Sequence, residues 1–416
     1  MFMSGPWVVF LLASSNFFLS QFYRATNAVI SPQLLNDLYL DTEGLGLLSA
    51  AFFYSFALLQ IPITVFLDRI GPKRMITALS IVGIMGILLF SVAHSLAVGV
   101  AGRLLLGVGM ACNLMGTLKL LTLWFPPARF ATLSGIVFSI GFTGNIAATT
   151  PFVLAVNLMG WRVTLQVIAG VNLILILAFC FAARDQPHDM THSPARTNPQ
   201  NLRGSLRRLQ ELLKKRDFWI ISFGTLCSYG IFSAFQVLWA GPYLMEVMGL
   251  SPEGAGNIIF FANIALIIGS CAWGPVSDRI LNTRKWIVVG GHLFLALITL
   301  CMALLSPGTS FALLAVLFFC FGFFRTTGLL MYPQIKDLAP LSMAGMAMTG
   351  INFFTMVGSA VFLQGLGSLM QYAYPHASRG PEAFRLAFLL CSGFLLSVSV
   401  LYVLTKERKD RQREVR

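Results

Sequence analysis

The chain has 416 residues, of which 56% are hydrophobic and 11% charged, and its mean hydropathy is +0.77. Those proportions exclude a soluble globular surface and place the chain in lipid. A net charge of +13 would suit a polyanion-binding protein, but the distribution of the charges argues for another origin.

Apolar stretches long enough to cross about 30 Å of hydrocarbon at about 20 residues each run near 7–31, 45–67, 75–93, 97–122, 130–156 and 163–183. Six more follow near 218–247, 254–277, 286–305, 310–334, 342–371 and 383–405. With no water to satisfy an open backbone, each is expected to be a helix. The spacing predicts an all-α membrane protein of twelve transmembrane helices in two pseudo-symmetric six-helix bundles. The first bundle takes residues 1–183 and the second 218–405, with a cytoplasmic linker over 184–217 and a basic cytoplasmic tail over 406–416. The first stretch follows an uncharged Met1-Phe2-Met3-Ser4-Gly5-Pro6, without a basic leader or small-residue cleavage site, so it reads as a retained span.

With the amino terminus inside, most of the 29 Lys and Arg fall in cytoplasmic loops and tails. Arg162, Arg379 and Arg385 fall outside, and Arg24, Arg103, Lys119 and Arg325 lie within spans. This positive-inside asymmetry puts both termini in the cytoplasm and the chain in the cell inner (plasma) membrane. The run Lys406 to Arg416 then fixes topology or touches anionic lipid, and nucleic acid is not an expected partner. The seven cysteines stand singly within spans without a CxxC pair, so no metal site, disulfide or cofactor is implied.

Within the linker, Pro187, Pro194 and Pro199 accompany dense charge. Leu202, Leu206, Leu209, Leu212 and Leu213 then recur at helical spacing opposite a basic face. That pattern fits an amphipathic helix on the inner leaflet or, equally, a solvated hinge.

An Asp-Arg pair ends a long apolar run twice, as Asp68-Arg69-Ile70-Gly71-Pro72-Lys73-Arg74 and as Asp278-Arg279 after Gly274-Pro275-Val276-Ser277, about half the chain length apart. An internal duplication accounts for the repeat. Asp68 can accept from the amino-terminal amides of a neighbouring helix, while Arg69 and Arg74 meet carboxylates or helix ends. Such contacts would latch the cytoplasmic side, or merely anchor topology. Six spans, a basic linker, six spans and this loop resemble the major facilitator superfamily along essentially the whole chain. Arg103-x-x-x-Gly107-x-Gly109 is similar to that superfamily's second motif, and Trp124-Phe125-Pro126 with Arg129 resembles its anion:cation symporter branch. Thr64 departs from the glycine usual there. The second copy ends in Leu281-Asn282-Thr283-Arg284-Lys285, and span five lacks the Gly-Pro pair of drug:proton antiporters.

Cargo has to be read from polar residues inside spans, where an Arg or Lys near the bilayer centre costs about 2.5 to 3.5 kcal/mol. Asn16, Ser20, Arg24, Asn27 and Ser31 form one helical stripe in span one, with Gln21 and Tyr23 alongside. Arg24 faces a central water-filled cavity, or else snorkels outward or bonds carbonyls at a helix break near Pro32. Phe22-Tyr23-Arg24-Ala25-Thr26 resembles the Asp-Arg-Ala-Thr segment of the branch's organic-anion symporters, with Tyr23 in place of their aspartate. Met110 stands where they carry a glutamate implicated in proton coupling. Lys119 and Arg325 sit at corresponding depths in spans four and ten, as a cationic pair below the cavity or as groups bonding helix ends. Asn145, Tyr229, Gln236, Trp239 and Asn352 complete the candidate substrate-binding set, against a packing role for each; His292, inside a span, reads as a neutral interior imidazole.

The expected function is secondary active or facilitative transport of a small organic anion or zwitterion by alternating access, in a chain expected to be a monomer. Proton symport, export of drugs or metabolites, and a transporter-like ligand sensor are the alternatives. No nucleophilic triad or Walker motif suggests an enzyme.

Overall fold

The computed structural model describes residues 5–126, 129–185, 210–339 and 344–407. The proposed linker helix through Leu209, the tail beyond residue 407, and the side chains of Asp68, Arg69, Asp278 and Arg279 lie outside the described set.

The first part of the chain is α1 (Pro6–Ala25), α2 (Asn27–Asp37), α3 (Thr42–Ile70), α4 (Pro72–Ser91), α5 (Leu96–Met110), α6 (Asn113–Trp124), α7 (Phe130–Ala147) and α8 (Thr150–Ala182). After the linker come α9 (Arg216–Ala234), a π-turn at Phe235–Trp239, α10 (Ala240–Pro242) and a second π-turn at Tyr243–Val247. The remainder is α11 (Pro252–Pro275), α12 (Lys285–Ala303), α13 (Phe311–Arg325), a 3₁₀ turn at Thr326–Leu330, α14 (Met331–Leu338), α15 (Ala344–Ala373) and α16 (Pro381–Tyr402). No strand occurs among the described residues.

Starts and stops follow local chemistry. Asp41 accepts from the Gly44 amide at 2.7 Å and Ser251 from the Gly254 amide at 3.1 Å, capping α3 and α11. Gly71 (φ 92) turns the chain sharply between α3 and α4, and Gly160 (φ 77) divides α8 into two helical segments at a kink.

Ten described helical stretches are long and apolar enough to span a membrane. The α1 helix is not among them because Ser14, Asn16, Ser20, Gln21 and Arg24 interrupt its apolar run. In addition, Leu133–Ala147 is apolar but short. The polar stripe of α1 therefore lowers its hydropathy below its neighbours'.

Helices approach closely where side chains are small. A Cβ on Gly107 of α5 would overlap Ser55 and the Phe52 carbonyl of α3, and one on Gly109 would overlap Gly83 of α4. The second motif therefore serves packing through its glycines. Outward faces carry Leu58, Met85, Ile174 and Phe181, all exposed, as expected where lipid is the solvent.

Helices before residue 186 meet those after 209 chiefly along α3 against α15, α2 against the π-turn at Phe235–Trp239, and α11 against α7 and α8. The described hydrogen bonds across this seam gather toward the end carrying Asp41: Thr42 to Ser378 (2.6 Å), Glu43 to Ser368 (3.2 Å), Thr150 to Asn257 (2.8 Å) and Asn157 to Glu253 (2.8 Å). The seam is tight enough there that a Cβ on Gly241 would overlap the Ala28 carbonyl.

Candidate substrate site between the two halves

Four helical stretches are interrupted. α1 passes into α2 at Thr26, and α5 into α6 at Ala111-Cys112. α9 passes into π-turns at Phe235, and α13 into a 3₁₀ turn at Thr326. Arg24 and Arg325 each occupy the last turn of the helix preceding such a break, where the negative end of the helix dipole favours a cation.

Both guanidiniums are largely withdrawn from solvent, at 7% and 9% relative exposure. Arg24 donates to the Tyr229 hydroxyl at 3.2 Å and lies against the Phe52, Phe53 and Phe56 rings, with the Phe56 centroid 5.0 Å away. Arg325 stacks over the face of the same Tyr229, 4.5 Å from its centroid, and over Phe232 at 5.8 Å. One phenol thus meets two cations, one at its oxygen and one at its ring. Among the described residues neither arginine is paired with a carboxylate.

The cluster continues through neutral polar groups. Tyr332 lies beside Arg325 and donates to Asn352 at 3.0 Å. Asn352 donates to Gln60 of α3 at 3.2 Å, and Gln60 to the Ala111 carbonyl at the break between α5 and α6, at 3.3 Å. A polar path therefore crosses the seam twice, at Arg24–Tyr229 and at Asn352–Gln60. A further crossing bond joins Tyr54 to Gln364 at 2.7 Å.

The other sequence candidates lie around this path. Asn27 donates to Ser49 at 2.9 Å. Gln21 faces Gly144 of α7, one residue from the buried Asn145, and its Oε1 has no partner among the described residues. Tyr23 is fully buried; its hydroxyl approaches Asn172 of α8 without closing a normal hydrogen bond, and its carbonyl accepts from Arg103 at 3.0 Å. Gln236 donates to Asn263 at 2.6 Å. Trp239 is buried against Gly46 of α3 and Gly367 of α15, donating to the Leu363 carbonyl at 3.1 Å. Lys119 is half-buried on α6, its carbonyl accepting from Thr122. The structure brings Arg24, Tyr229, Arg325 and Asn352 together, and leaves Tyr23, Asn145, Lys119 and Trp239 outside that chain of contacts.

At the opposite end from Asp41, Gly71 forms the turn of the repeated loop, Lys73 is half-buried and Arg74 exposed. The Lys73 amide at the start of α4 donates to Asp185 at 2.7 Å. Its counterpart is Glu407, which accepts from the Arg284 and Lys285 amides at 2.8 and 3.1 Å at the start of α12. Arg284 also pairs with Asp337. Arg103 is fully buried, and its Nε and second NH2 nitrogen find no partner among the described residues.

Sequence reasoning missed Tyr54, Gln60, Tyr332, Gln364 and the two capping carboxylates. Gln60 carried a usable signal, as an amide within the apolar Leu58-Leu59-Gln60-Ile61 run. Asp185 and Glu407 did not, because a carboxylate just past a span looks like any loop residue.

The Major Facilitator Superfamily model matches residues 12–363 and 221–416. A probable sulfoacetate transporter of Cupriavidus necator is 28% identical, over 95% of this chain and 94% of that protein. A probable galactarate/D-glucarate transporter of Escherichia coli K12 is 24% identical, over 91% and 90%. The fold is similar to the crystal structure of a bacterial homologue of the human lysosomal transporter Spinster, in an inward-facing and unoccupied conformation, with a TM-score of 0.78, 18% identity and 96% of each chain covered.

Proposed function

Since the chain belongs to the Major Facilitator Superfamily, we propose that it is a secondary transporter that carries a small organic anion through the bilayer by alternating access. It is a multi-pass membrane protein and not an enzyme. The finer arrangement proposed is twelve spans in two six-helix bundles, over 1–183 and 218–405, with both termini cytoplasmic and the protein in the inner membrane.

The observation that carries this reading is Arg24: a buried guanidinium, bonded across the seam to a neutral tyrosine and left without a carboxylate among the described residues. A charge held in apolar surroundings is unfavourable until an opposite charge completes it. An arriving anion does so bidentately, competing with Tyr229 for the guanidinium. Because Tyr229 belongs to the second half, that competition exchanges a bond across the seam for a bond to substrate. Binding is thereby coupled to the contact between the halves. With no described carboxylate on Arg24, Arg103 or Arg325, the carrier runs as an exchanger or uniporter. The relatives' named cargoes, sulfoacetate and the sugar acids galactarate and glucarate, supply probes.

The test is counterflow in proteoliposomes loaded with sulfoacetate, galactarate or D-glucarate. Wild-type protein is expected to accelerate uptake of at least one of them, and Arg24→Gln to raise the half-saturating concentration about tenfold or more, from loss of a charge-assisted hydrogen bond. Uptake by Arg24→Gln with unchanged half-saturation would sink the reading.

A further inference from the structure

We infer that the site is built for a short dianion, with Arg325 as the anchor for its second negative group; this inference rests on the organic-anion reading above. Arg24 and Arg325 come from opposite halves of the chain and reach the same phenol, Arg24 at its hydroxyl and Arg325 over its face. Little more than one ring therefore separates two guanidiniums. Each is buried, and among the described residues neither has a carboxylate partner.

The neutral Tyr229 softens this arrangement without neutralising it. Its oxygen accepts one hydrogen bond from Arg24, and its π face attracts Arg325, but neither interaction supplies a net negative charge. The surroundings screen poorly, with Phe52, Phe53 and Phe56 against Arg24 and Phe232 against Arg325. At such spacing in a low-dielectric setting two like charges repel strongly. A monoanion at Arg24 would leave Arg325 uncompensated, whereas a dianion neutralises both. The neutral hydrogen-bonding groups beyond Arg325, Tyr332 and Asn352, suit hydroxyls on the substrate's backbone.

The geometry sets the class: two anionic groups a few bonds apart, such as a dicarboxylate or a sulfonate with a carboxylate, in an extended molecule that reaches around one phenol. The second anchor also gives both halves a grip on one ligand. A molecule held by Arg24 of the first half and Arg325 of the second bridges the seam in place of Tyr229.

The experiment compares matched pairs on the purified full-length protein: galactarate against the open-chain monoanion galactonate, and sulfoacetate against its methyl ester, by thermal shift and by competition in counterflow. Each pair removes one negative charge and keeps the chain open. Wild-type protein is expected to prefer the dianion of a pair it binds by about tenfold or more. Arg325→Gln is expected to weaken the dianion at least about tenfold more than the monoanion, collapsing that preference, while Arg325→Lys, which keeps the charge, retains most of it. Equal or tighter binding of the monoanion by wild-type protein overturns the inference and leaves the anion reading standing, as does an Arg325→Gln variant whose affinities for both members fall in parallel. Binding of no anion of either charge overturns both.

Discussion

Arg24 and Tyr23 are adjacent in sequence, yet their side chains leave the helix toward different partners. The arginine crosses the seam to Tyr229, and the tyrosine turns inward toward Asn172. Helical spacing made the stripe of α1 legible, and the cost of a buried cation singled out Arg24. Spacing alone left the neighbours at 21 and 23 undivided, because which side faces the seam depends on helices far away in sequence. A second residue-scale contact lies at the Asp41 end. Asp37 accepts from the Trp161 indole at 2.9 Å and pairs with Arg162, which also donates to the Ala93 carbonyl at 2.9 Å. The indole hydrogen bond, with Arg162 beside it, holds the Asp37 carboxyl below its ordinary value. A depressed folded value means that the stabilisation is present above the unfolded carboxylate value of about 3.9 and is lost as pH falls through the folded one. Asp37→Asn is therefore expected to lower the thermal midpoint at pH 7, by at most about 1 kcal/mol of stability because the pair is partly exposed. Unfolding scans of both proteins from pH 7 to pH 3 should show the gap closing in acid; a gap of constant size would count against the carboxylate.

At the scale of elements, the breaks matter as much as the helices. Twelve apolar runs could be placed from hydropathy, since each has to satisfy its own backbone in lipid. The interruptions were less visible: the π-turns beginning at Phe235 and Tyr243 carry no glycine or proline of their own, and the 3₁₀ turn at Thr326–Leu330 has only Gly328. Of these, the π-turn at Phe235–Trp239 packs across the seam against α1, α2 and α3, whereas the other two pack within the second half. The short helix between those π-turns holds Gly241, where the second half touches α2 backbone to backbone. Gly241→Ala should force Ala28 and its helix away and shift the protein toward a form open at the Asp41 end. A thiol-reactive probe on Ser378→Cys, which sits against Thr42 in the closed seam, should label faster in the Gly241→Ala background. Unchanged labelling would mean that the glycine gives close packing without controlling closure.

Across the whole molecule, the repeated Asp-Arg loop pointed to duplication, and the structure gives that duplication a second expression. Asp185 closes the start of α4, and Glu407 closes the start of α12. No motif announced them, because their role depends on where the chain returns after the helices that follow. Each carboxylate ties its chain segment back to a helix start within the same half of the sequence, Asp185 to α4 and Glu407 to α12. On the two-bundle arrangement proposed above, neither tie involves residues 186–209. Two separately translated polypeptides, divided within residues 186–209, should assemble in one membrane and retain counterflow. Asp185→Asn in the first fragment should reduce the yield of paired fragments on co-purification, and an undiminished yield would show that the cap is dispensable. Each half of the sequence thus carries its own carboxylate clasp, so that loss of one leaves the helix start closed by the other untouched.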